Sequence, residues 1–188
     1  MIAISSSNRS KLRIEVRRAR VKRPRLIVKT WGVLIVLPAP FREEVAYKIF
    51  KKHEKWILKK HEELRIAYEY SRKVKLMHRS RKELRELVEK YVEEAALKIL
   101  GENPCKINIR KMRTRWASCS IRKTITVNEL AKHLPEYLIS YLAYHEVCHL
   151  VELRHNQEFW SCVEKQFKNY KELEKELLVY EVKLGLHD

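Results

Sequence analysis

Residues 145–149 read His-Glu-Val-Cys-His, and few folds accept that pentapeptide where this chain carries it. It interrupts an otherwise apolar run, so folding must bury two imidazoles and a carboxylate or supply a charge that compensates them. On a helix, histidines four residues apart stack one turn above the other on a single face, with the intervening Glu on the flank. Both rings then reach one cation, and Glu146 lies where a water on that cation would sit. His155 follows six residues after His149, far enough for the chain to leave the helix and bring back a third nitrogen. Three protein ligands with one open position is the catalytic arrangement for zinc, whereas a structural site is closed by four. The expected ligands are therefore His145, His149 and His155, with Glu146 as general base for a water of lowered pKa in the fourth position. The ion expected is Zn²⁺, one per chain; Mn²⁺ and Co²⁺ suit the same donors.

With 8 His in 188 residues, a bare H-E-x-x-H arises by accident in roughly 3 of 100 chains of this composition, and a further His at a preset position lowers that about twentyfold. The competing reading is a helix with two partly buried histidines bonded to neighbours. The flanking pattern supports a helix over 135–153. Pro135 suits a first turn, where its missing N–H costs nothing. Leu138, Leu142, His145 and His149 then form one stripe, apolar at first and metal-binding at its end, beside a second stripe of Ile139, Ala143, Glu146 and Leu150.

The remainder reads as α+β, strands first and helices segregated elsewhere. Leu12, Ile14 and Val16 alternate with Arg13, Glu15 and Arg17, and the phase slips across Arg17 and Arg18, which predicts a bulge or turn. Residues 25–29 and 33–37 predict a hairpin around Trp31 and Gly32. A long helix is expected over 41–68, with Phe41, Val45, Ile49 and Trp56 inward and lysines around the rest. Residues 71–79 are the candidate linker. Ser80 with Glu83 is a capping-box signal for a helix running to Leu100 and stopped by Gly101. Short strands follow at 106–112, 115–119 and 123–127. Asn156 is positioned to cap a helix through Lys168, and Asn169 with Glu172 opens a last helix ended by Gly185. This divides the chain into an N-terminal lobe of β-hairpin and long basic helix, 1–79, and a second domain, 80–188.

The length suffices for one core plus an accessory lobe. No apolar run is long enough to span a bilayer, and Met1–Ser10 lacks the apolar stretch of a secretory signal, so the expectation is a cytoplasmic protein with no membrane partner. Cys105, Cys119, Cys148 and Cys162 show no C-x-x-C spacing, so a Cys-ligated zinc ribbon is not supported. Without an export signal reduced thiols are expected, with Cys148 a small buried filler. A net charge of +17, from 41 basic and 24 acidic residues, suits a nucleic-acid partner and equally a heavily solvated surface.

From about Ser80 onward the chain resembles the YgjP-like (DUF45) family of metal-dependent hydrolases. Three stretches carry the likeness: Thr114-Arg115-Trp116-Ala117-Ser118-Cys119-Ser120, Ile125-Thr126-Val127-Asn128-Glu129-Leu130, and His145 through Trp160, including His155 and Phe159. Ala117 stands where the family usually has Gly. Glu152 replaces the turn glycine of the metzincin pattern, which argues against that group. A more distant likeness is to the SprT-like, DNA-associated proteases. The resemblance implies a zincin-like catalytic domain, a small antiparallel sheet plus an active-site helix, with peptidase-like hydrolysis at the three-histidine site. Some relatives are regarded as nucleotide pyrophosphatases, so a nucleoside triphosphate is the alternative substrate to a peptide, although no Gly-rich phosphate cradle is present. A third reading is a nucleic-acid-binding protein with a structural metal; an intact Glu146 speaks against it. Arg115 and Arg154 are candidates to steady an oxyanion or phosphate. Trp116 is a candidate substrate platform, although its residue type favours a core aromatic. The strand at 115–120 is a candidate edge for an extended peptide. The sequence leaves oligomeric state open.

Overall fold

A computed structural model describes residues 12–102 and 106–186; Met1–Ser10 and Cys105, considered above, lie outside these. The chain divides into one unit running to Arg72 and a second spanning Lys73–Leu186.

The first unit is built around a run too apolar for any place but the middle of a sheet. All seven residues of β3 (Gly32–Pro38) are buried. The strand is flanked by β1 (Ile14–Ala19), which is parallel to it, and by β2 (Arg25–Lys29), which is antiparallel. The β2–β3 hairpin turns through Thr30 and Trp31, between the paired Lys29 and Gly32. Gly32 is required there: its φ is 144°, and a Cβ would lie 2.1 Å from the carbonyl oxygen of Arg13. That carbonyl accepts the Val33 N–H at 2.8 Å, so the approach cannot relax without opening the sheet.

The bulge expected across Arg17 and Arg18 does not form; pairing runs unbroken from Ile14–Val33 to Ala19–Pro38. The alternation fails because Arg18 takes a position on the apolar side and sends its guanidinium to the carbonyls of Ala39 and Phe41, each at 2.8 Å. Long helix α1 (Glu44–Ser71) follows and packs on β2 and β3. Its buried residues are Ala46, Phe50, Ile57, Leu64, Ala67 and Ser71, not the predicted Phe41, Val45, Ile49 and Trp56; Trp56 is 52% exposed. The two apolar stripes are adjacent on the helix, and the sheet, to which Ala46 and Phe50 turn beside Ile14, Val16 and Ile35, selects between them.

The second unit opens with the expected capping box. Ser80 Oγ accepts from the Glu83 N–H, and the Glu83 carboxylate accepts from the Ser80 N–H, starting α2 (Arg81–Leu100). Gly101, at φ 75°, closes it in the left-handed conformation. The stretch read as linker is partly strapped down: the Met77 N–H donates to the His133 carbonyl, and His133 Nδ1 meets the Met77 carbonyl. This draws residues from Lys73 onward into the second unit, ahead of the predicted boundary after 79.

The second sheet is mixed, not antiparallel as expected. In the order β4 (Lys106–Arg110), β6 (Thr124–Asn128), β5 (Ala117–Cys119), β4 runs parallel to β6 and only β5 is antiparallel. To reach the far edge the chain crosses the end of β6, and Asn128 pins the crossing. Its amide donates to the carbonyls of Met112 (2.9 Å) and Arg115 (3.0 Å), while its side-chain oxygen accepts from the N–H groups of Met112 and Leu130. Fully buried, its side chain has both its donors and its acceptor satisfied.

Helix α3 (Glu136–Cys148) runs through the centre of this unit, against α2 and β5 and alongside α4 (Gln157–Glu164) and α5 (Tyr170–Lys183). Nine of its residues are buried, so it is a core helix on nearly all sides rather than the two-stripe helix expected. Asn156 caps α4 through a bond from the Phe159 N–H, as predicted, but α4 stops at Glu164, short of Lys168. Asn169 precedes α5 without a side-chain cap bond. No helix among the described residues is long and apolar enough to cross a membrane.

Candidate metal centre

Helix α3 delivers His145 and Glu146 in its last turn, and His149 stands at its C-cap, still in a right-handed helical conformation. The helix ends at Cys148 rather than continuing to 153. The Leu150, Val151 and Glu152 N–H groups fold back onto the carbonyls of Val147 and Cys148 in a tight turn. The Glu152 carboxylate then accepts from the Arg154 N–H at 2.8 Å. This turn, followed by the Asn156 cap, reverses the chain and returns His155 to the helix it left.

The three histidines meet. One ligand atom from each of His145, His149 and His155 lies within 4.8 Å of the others. The Nε2 atoms of His145 and His155 are 3.1 Å apart. Nitrogens at ordinary zinc distance on neighbouring tetrahedral corners stand about 3.3 Å apart, so this pair fits one ion. His149 Nδ1 lies 3.1 Å from the Glu152 carbonyl. A carbonyl only accepts, so Nδ1 carries the proton and Nε2 keeps the lone pair for a metal. Burial pushes the His145 pKa down to about 3, helped by the two neighbouring rings, and burial lowers His149 as well. Both rings are therefore neutral donors at ordinary pH.

Glu146 is 5% exposed, and its Oε2 has no hydrogen-bond partner. Burial pushes its carboxyl up to about 8, against the pull of the Arg115 guanidinium and with the Glu174 charge adding to the rise. Phe159, fully buried, stacks on His149 (centroids 4.4 Å apart, planes 24° apart) and meets His145 and His155 edge-on. Trp160 stacks on His155 and on Tyr170.

The remaining candidates fare differently. Arg115 is exposed and acts on Glu146 through its charge. Trp116 is 4% exposed within the core, so it is placed as a core aromatic and not as a substrate platform. Arg154 is exposed and its charge faces Glu152. Cys148 turns away from the cluster, its Sγ 2.9 Å from that of Cys162, as a buried filler does. Sequence reasoning missed Tyr141 and Glu174. The Tyr141 hydroxyl donates to Glu174 Oε1 at 2.5 Å, and that carboxylate oxygen lies 3.8 Å from His145 Nδ1. Tyr141 precedes His145 by four residues, the same spacing that flagged His149; Glu174 carries no local signal.

A family model described as YgjP-like, metallopeptidase domain, matches residues 67–179. Among solved structures, the metallopeptidase zymogen of Pyrococcus abyssi abylysin is 34% identical over 48% of this chain and 91% of its own, with a TM-score of 0.45. The metallopeptidase zymogen of Methanocaldococcus jannaschii jannalysin is 23% identical over 50% of this chain and 94% of its own, with a TM-score of 0.43. None of the curated proteins matches the chain.

Proposed function

Since the chain belongs to the YgjP-like metallopeptidase family, we propose that it hydrolyses peptide bonds with one zinc ion held by His145, His149 and His155. The observation that carries this reading is the meeting of three imidazoles beside a buried carboxylate whose second oxygen has no partner. A divalent ion bound there supplies Lewis acidity, which acidifies water and polarises a carbonyl. Glu146 takes the proton of the attacking water on its carboxylate and passes it to the leaving amine. Burial raises its proton affinity in the metal-free protein, and a cation beside it would favour the ionised form that a base needs. Strand β5 ends its sheet and packs beside α3, so an extended peptide adding to that edge would lie along the metal helix. Arg115, next to the start of β5, is the candidate cation for the developing oxyanion.

The test is to incubate zinc-loaded protein with an unfolded protein and with a panel of nucleoside triphosphates, using Glu146→Gln as control. The expected result is peptide products from the wild type, and none from a variant that still holds one zinc. Pyrophosphate release without peptide products would replace this reading with a nucleotide pyrophosphatase on the same residues.

A further inference from the structure

Each metal-binding imidazole has a second nitrogen, and where that nitrogen's proton goes decides how firmly the ring is aimed. His149 solves this locally, through the Glu152 carbonyl. His145 has no such neighbour. Its Nδ1 is buried without a hydrogen-bond partner, and the anionic oxygen recorded near it is Glu174 Oε1, 3.8 Å away on α5. That oxygen is itself held by the hydroxyl of Tyr141, a side chain with no exposed surface. The Tyr141 ring also meets His145 edge-on, centroids 5.9 Å apart.

We propose that Glu174 is a positioning residue of the metal centre: held by Tyr141, its carboxylate accepts the Nδ1 proton of His145 and aims Nε2 at the ion. The inference rests on the three-histidine reading and names what organises it. A cation on Nε2 draws electron density from the ring and makes Nδ1–H a stronger donor, which favours closing the present gap to hydrogen-bond length. Glu174 is no ligand itself, since it stands outside the group of atoms that converge. The chain thus ties its last helix to the metal through one side chain.

Zinc dissociation constants, measured by competition with a chromophoric chelator, test this without reference to turnover. Glu174→Ala should weaken zinc binding roughly 10- to 100-fold. Glu174→Gln, which keeps an acceptor but no charge, should fall between it and the wild type. Tyr141→Phe should weaken binding in the same direction by removing the hydroxyl that holds Glu174 Oε1. Thermal unfolding of the metal-free Glu174→Gln protein should match the wild type, because the side chain is 45% exposed. Wild-type zinc affinity in both Glu174 variants overturns the proposal. A wild-type protein that binds no zinc, or a His149→Ala variant that still binds it, overturns instead the three-histidine reading beneath.

Discussion

Glu146 makes the metal-free protein's stability depend on pH in a way that its amide analogue should abolish. The carboxyl is 5% exposed and its pKa is pushed from 4.5 up to about 8 by burial. Folding therefore favours the protonated form: this contribution is intact below the unfolded value and is lost as pH rises through the folded one. At about 1.36 kcal/mol per pH unit, ionisation costs about 1 kcal/mol at pH 5, about 3 at pH 7 and about 5 at pH 9. Glutamine has the same shape and no charge to bury. Stripped of metal, Glu146→Gln should nearly equal the wild type at the acid end and exceed it by those amounts as pH rises. Guanidinium unfolding followed by tryptophan fluorescence across that range measures the difference. His145 has the opposite sign, a pKa lowered to about 3, so its cost grows below 6.5 and is common to both proteins. Zinc should shrink the difference at high pH, because a cation compensates the carboxylate. A difference independent of pH in the metal-free state would refute the claim that this carboxylate is buried without a compensating partner.

Three further outcomes are expected. Phe159→Ala removes a fully buried ring that touches all three histidines, and should cost about 3–5 kcal/mol and weaken zinc binding, read by denaturation and chelator competition. Asn128→Ala strands the carbonyls of Met112 and Arg115 and should destabilise by about 3 kcal/mol in the same unfolding assay, which a loss under about 1 kcal/mol would contradict. Gly32→Ala drives a methyl into the Arg13 carbonyl; the Val33 amide, which bonds that carbonyl, should exchange with deuterium faster than in the wild type.

Features complete within a few residues were legible in the sequence. Ser80 and Glu83 are three apart and cap each other without help from elsewhere; Gly101 ends the helix by its own conformational freedom; Asn156 bonds the N–H three residues on. The H-E-x-x-H spacing belongs to this class, because one helical turn alone brings His145 and His149 to the same face. His155 was readable from its distance along the chain, since a turn and a cap suffice to return it.

What escaped the sequence depends on partners far along the chain. The parallel pairing of β1 with β3 and of β4 with β6 follows from how the connections cross, which alternation within a strand does not encode. Two neighbouring stripes of α1 are both apolar, and only the sheet beneath decides that Phe50 and Ile57, not Ile49 and Trp56, turn inward. Trp116 has a side chain fit for a substrate platform or a core, and close packing put it in the core. Glu174, a half-exposed glutamate on a charged helix, differs from its neighbours only because folding sets it beside Tyr141 and His145. The chain by itself determined that His145 and His149 share one helix face and that Ser80, Gly101 and Asn156 cap their helices, because hydrogen bonds and helical pitch act over a turn or two. Tertiary structure decided strand order, inward faces and which side chains stand beside the three histidines, because those rest on contacts that exist only once distant segments have packed.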